Sequence, residues 1–175
     1  MQQSGVKNNK LFIRRLAPAL VILLVFALGA CSGGPQLVDH AFGFDVLNDS
    51  PDVVLLDYRY GTSRQPGARP PEWSAKNGTI RQQAGVNGEM IPGDTLYAKW
   101  QIKASGEVLE DTIHLKSRLP KDIAGHRLYF VIEGRQLHVY LISPRLRPSS
   151  FPVVGPMKYR YYQAYAIYPD PILSN

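Results

Sequence analysis

The chain has 175 residues, 45 % of them apolar and 19 % charged, with one cysteine and a formal charge of +6. Four of the twenty Lys and Arg (Lys7, Lys10, Arg14 and Arg15) lie in the first thirty residues, and none of the fourteen acids does. The remainder therefore carries only +2, which removes any charge argument for a nucleic-acid partner. A single cysteine also excludes a disulfide within the chain.

The chain opens with those four cations and then runs apolar and uncharged from Leu16 to Ala30 (LAPALVILLVFALGA). That run is about fifteen residues long, short of the roughly twenty a spanning helix needs. A basic start, a short apolar run and small residues at its end form the pattern of an export signal. The run closes on Leu28-Gly29-Ala30-Cys31, which resembles the lipobox of bacterial lipoproteins, with Gly29 where Ala or Ser is usual. The resemblance implies cleavage before Cys31 and lipidation of its sulfur. Two or more acyl chains then hold the protein stably to a membrane. Ser32, in place of Asp, implies delivery to the outer membrane, on its periplasmic face. The expected divisions are a signal peptide over 1–30, a lipidated Cys31 with a Gly/Pro tether over 31–37, and a β-rich domain over 38–175.

Within that domain no segment shows helical periodicity, and strand signals dominate. His40–Leu47 and Val53–Tyr60 come first, the second opening on a continuous apolar run that suits burial on both faces. Gly61–Gly93 breaks the pattern. It is rich in Gly and Pro, contains Arg64, Arg69, Lys76 and Arg81, and reads as a long functional or disordered loop with short strands around Thr79–Gln82. Thr95–Lys103 and Val108–Leu115 alternate as a hairpin joined by the four residues Ala104–Glu107. That loop pairs Ile102 with Leu109, Ala98 with Ile113 and Leu96 with Leu115. It also turns Asp111 inward near Trp100, where a carboxylate needs a partner. Asp122–Ala124 reads as a short helical turn.

The clearest hairpin is Arg127–Glu133 with Gln136–Ser143 around Gly134-Arg135, a two-residue loop with Gly first that suits a type II′ turn. It pairs Ile132 with Leu137, Phe130 with Val139 and Leu128 with Leu141 on an apolar face. Val131 meets His138, and Tyr129 meets Tyr140, on the other. Tyr159–Tyr168 is the last expected strand. About seven short strands with Gly/Pro turns predict a mainly β fold, a single small antiparallel sandwich or an open barrel.

No nucleophile elbow, zinc-protease helix, phosphate loop or dinucleotide glycine pattern is present in the sequence. His114, His126 and His138 recur every twelve residues, a spacing that reads as unrelated strand histidines rather than a metal site. Glu110 and His114 share a strand face about 13 Å apart, too far for joint acid–base work. The expectation is therefore no enzyme, no metal and no cofactor. The residues suited to binding are Tyr and Arg, which dominate protein interfaces. Tyr159, Tyr161 and Tyr165 on the last strand, with Tyr129 and Tyr140 as an exposed outer pair, form the first candidate surface. Arg64 and Arg69 form the second.

Gly88–Pro144 is also similar to small proteobacterial lipoproteins encoded near type VI secretion effectors. The likeness is carried by Gly93-Asp94, Lys99-Trp100, Glu110-Asp111-Thr112, Arg118-Leu119-Pro120 and Leu137–Pro144. It implies an immunity or accessory role toward an effector, with no catalytic residues. The alternatives are a structural envelope lipoprotein contacting peptidoglycan or an assembly, and, behind it, a hydrolase.

Overall fold

A computed structural model describes residues 36–169, so the export signal and Cys31 lie outside the described residues. Eight strands form two sheets: β1 (Val38–Asp45), β2 (Val53–Tyr60), β3 (Gln83–Met90), β4 (Thr95–Ile102), β5 (Val108–His114), β6 (Arg127–Glu133), β7 (Gln136–Leu146) and β8 (Tyr162–Tyr168). The larger sheet has the order β3-β1-β6-β7-β8 and the smaller β2-β4-β5, with no closed barrel. Among the described residues the helices are two short pieces, α1 (Val46–Asp49) and α2 (Glu72–Lys76), and a 3₁₀ turn at Met157–Tyr159. The fold is thus the expected sandwich, with one departure: β1 pairs β6 in parallel.

The β6–β7 hairpin has the register its loop dictates, Ile132 opposite Leu137, Phe130 opposite Val139, and Tyr129 opposite Tyr140. Gly134 takes φ +58°, the left-handed backbone that so tight a turn requires. β7 then runs on past Ser143 through Pro144, which an irregularity in the β7–β8 ladder accommodates. Between the sheets lies an aromatic core. Phe42 stacks on Tyr60 at 4.7 Å, Phe44 on Phe130 at 4.7 Å, and Tyr58 meets Phe44 edge-on.

Several expectations are corrected. β4 and β5 pair Trp100 with Leu109, Ala98 with Asp111 and Leu96 with Ile113, two residues from the expected register. The turn is again four residues but one position earlier, Lys103–Gly106, closed by bonds from Gly106 N–H to Ile102 O and from Ile102 N–H to Glu107 O. A slip of two keeps every side chain on its face. β2 is buried on one face only: Val53 and Leu55 point inward, a bulge at Leu56 shifts the phase, and Tyr58 and Tyr60 follow. β1 starts two residues earlier than expected and gives way to α1 at Val46, where Asp45 caps the Asn48 N–H. Asp122–Ala124 is not helical; the turn there is Ile123–His126, closed by His126 N–H to Ile123 O at 3.0 Å.

The segment Gly61–Gly93 is not structureless. It contains α2 and all of β3, which pairs β1 over eight residues. Gln82, just before β3, uses its side chain as a strand substitute. Its Oε1 accepts from Leu55 N–H at 2.7 Å and its Nε2 donates to Leu55 O at 2.9 Å, so it occupies part of the open edge of β2.

Candidate functional site

From Gly134 to Pro169 the chain has no Asp or Glu but has Arg135, Arg145, Arg147, Lys158 and Arg160. This stretch builds β7, β8 and the crossing between them. The crossing, residues 147–161, lies over the outer face of the larger sheet. Gly155 sits so close to the Tyr140 ring that an added Cβ would be 3.1 Å from it, and Tyr159 meets Tyr129 edge-on at 5.1 Å. Tyr129, Val131, Ile142 and Ala164 are sealed beneath as a second apolar cluster, with Tyr140, Val154 and Tyr159 at its margin.

This burial corrects the expected interface. Tyr129 is 2 % exposed and is not a surface residue. Its hydroxyl donates to Asp49 at 2.7 Å and accepts from the Lys158 ammonium, which also lies 4.2 Å above its ring. Burial, reinforced by the Asp49 carboxylate, pushes that hydroxyl far above the usual phenol range. Tyr140 is half-buried and stacks on His138. Tyr159, Tyr161 and Tyr165 do not share a face, because the 3₁₀ turn breaks the strand period. Tyr159 packs inward on Tyr129, Tyr165 packs on the main core beside Phe151, and only Tyr161 stays open, at 61 %.

The exposed set at this end is therefore different. Leu146 (71 %), Met157, Val153, Tyr161 and Tyr162 are all exposed on the β7–β8 side. Leu146 is paired directly with Tyr162. Cations are interleaved with them. Arg160 stacks on the Tyr161 ring at 4.5 Å and donates to its hydroxyl at 2.9 Å. Arg147 is fixed by Nε donation to Arg160 O at 2.9 Å and by a further bond to Phe151 O. Beside them a cleft of about 230 Å³ is lined by Arg127, Ile142, Ser143, Pro144, Tyr159 and Tyr162. Arg127 forms no ion pair among the described residues, and neither does Arg145. Burial raises the Tyr159 hydroxyl above its ordinary value, and the Arg127 charge opposes that rise. Apolar anchors ringed by uncompensated cations are suited to holding an acidic partner surface. The signal that would have found this set is the acid-free run itself, not the tyrosine count.

Arg64 and Arg69 lie on the β2–β3 connection, against β3, at the opposite edge of the larger sheet from β8. The two expected surfaces are thus separate. Asp111 has found partners in the Tyr168 hydroxyl at 2.9 Å and the Thr112 N–H at 2.7 Å, while the Trp100 indole N–H goes to Gly134 O instead. Glu110 accepts from the Tyr97 hydroxyl. His114 is exposed, His126 Nδ1 donates to Ala124 O at 3.0 Å in a turn, and His138 faces Glu133 at 3.7 Å. Among the described residues no three His, Cys, Asp or Glu side chains converge as metal ligands. Comparison with family models, curated proteins and solved structures gave no match to this chain.

Proposed function

We propose that this protein is a lipid-anchored protein of the outer membrane's periplasmic face, that it binds another protein rather than transforming a substrate, and that it serves as an immunity or accessory partner of a type VI secretion effector. The observation that carries the binding reading is the exposed apolar set Leu146, Tyr161 and Tyr162, with Arg147 and Arg160 interleaved, in a stretch that has no Asp or Glu from Gly134 to Pro169. Its charge complements an acidic partner. Anchoring is supported by the Leu28–Cys31 pattern, and the effector context by the Gly88–Pro144 resemblance. A tether raises the local concentration of a binder where an incoming effector acts.

The test is capture by the tagged full-length protein, in detergent, from its own bacterium, compared with a Leu146→Ser, Tyr161→Ala variant. The expected result is one dominant partner, encoded beside this chain, with an acidic surface, lost in the variant while the unfolding midpoint is unchanged. Recovery of wall or assembly components alone would move the protein to the structural envelope class. Labelled palmitate should enter the wild type and not Cys31→Ser.

A further inference from the structure

The β2–β3 connection is a fixed structure rather than a swinging loop. Tyr60 N–H donates to Ala68 O at 2.8 Å, Gln65 Nε2 donates to Glu89 O at 3.0 Å, and Ala68 is fully buried. An added Cβ at Gly67 would be 2.7 Å from Gly85 O, so the connection crosses β3 in contact. Pro66, Pro70 and Pro71 stiffen it further.

Against β3 the connection leaves two adjoining clefts, of about 430 and about 300 Å³, that share Pro66, Arg69 and Pro71 as walls. Arg64 lines the first and Arg81 the second. Arg69 is half-buried, and its Nε donates to Ser63 O at 2.8 Å, which aims the guanidinium and leaves its terminal nitrogens without a protein partner among the described residues. None of the three arginines forms an ion pair there; Glu72, on the first cleft's wall, is not within bonding reach of any of them. The Arg81 charge also reaches the buried Tyr58 hydroxyl on the second cleft's wall.

Three like charges around shared walls repel, and a half-buried guanidinium without a carboxylate is poorly compensated. A multiply charged anion relieves both. Guanidinium forks match phosphate oxygens two at a time, and a phosphate neutralises more of this charge than one carboxylate does. The proline rings and the small Ala84 and Gly85 give the rest of the ligand an apolar bed. We infer that this double cleft is a binding site for a phosphate-bearing ligand, clamped by Arg69 between Arg64 and Arg81, independent of the protein-binding surface at the β8 edge.

The test uses the full-length chain in a non-ionic maltoside detergent, titrated with inorganic pyrophosphate and read by NMR at the arginine Nε–H groups. Saturable shifts at Arg69, Arg64 and Arg81 are expected. Arg69→Gln should weaken binding at least about tenfold, the loss of a charge-assisted pair. Arg81→Gln, at an exposed position without an ion pair among the described residues, should weaken it in the same direction. Lys116→Gln, at an exposed cation without an ion pair among the described residues and outside both clefts, should bind as the wild type does. Competition by a short-chain phosphatidic acid assigns the phosphate to a lipid headgroup, and its failure assigns it to a soluble compound. Absence of saturation, or wild-type affinity in both Arg69→Gln and Arg81→Gln, overturns the site.

Discussion

Lys158→Met removes the cation that, among the described residues, ties the crossing over the larger sheet to α1. In the wild type the ammonium stands 3.1 Å from Asp49 and 3.6 Å from Asp45, and it caps the Tyr129 hydroxyl. The two acid side chains are only 15 % and 6 % exposed, so loss of the cation strands charge in a poorly solvated place. Breaking a fully buried pair costs about 3–5 kcal/mol; Lys158 is itself 36 % exposed, and solvent screening reduces the cost to about 2 kcal/mol. For a unit of this size that is a fall in melting temperature of roughly 6 °C. The loss also has a pH signature. Burial alone would raise the Asp45 carboxyl, but the Asn48 side chain and N–H, together with Lys158, hold it below the ordinary range. A depressed carboxyl stabilises the fold above its unfolded value, near 4, and that contribution disappears as pH falls through the lower folded value. The gap between wild type and variant, measured by urea unfolding from pH 7 to pH 3, should therefore narrow below pH 4. A loss under about 0.5 kcal/mol, or one that stays constant across that range, would refute the electrostatic account.

Two further perturbations probe other parts of the fold. His40 is 2 % exposed, with its Nε2 bonded to the Tyr60 hydroxyl, and burial lowers its pKa despite the Val38 carbonyl and Asp39. The unfolded state takes a proton first, so stability should fall as pH drops below about 6.5, and His40→Gln should abolish that slope in urea unfolding between pH 7 and pH 5. Gln82→Ala removes both bonds to Leu55 and leaves the edge of β2 unpaired there. It should cost about 1–3 kcal/mol, and hydrogen exchange should show faster loss of the Leu55 amide.

How far the sequence reaches is clearest in two strands. β6–β7 alternates over every residue with a two-residue loop between, so only one register hides both apolar faces, and that register is found. β3 (QAGVNGEM) has two glycines and three polar side chains, and it buries only Val86 and Met90. No local pattern announces such an edge strand; pairing with β1 makes it one. The candidate surface was legible in composition and not in placement. Tyrosines that alternate in the sequence are separated by a 3₁₀ turn, and Tyr129 is hidden by a crossing without any periodicity of its own. Its contact with Asp49 joins residues eighty positions apart, which no local reading supplies.

The inner position of β1 also governs when the larger sheet forms. β1 is an inner strand of the larger sheet, yet its two neighbours are β3 and β6. Its parallel partner begins at Arg127, so no truncated chain ending before that point assembles the sheet. Such long-range pairing has to close large loops before any contact rewards it, which places folding among slow, late-committing β topologies. A ribosome-bound or partly threaded chain that ends before Arg127 can pair β2, β4 and β5 but cannot complete the larger sheet. A late-closing larger sheet suits the export proposed above, since a chain is threaded through a membrane before it has folded.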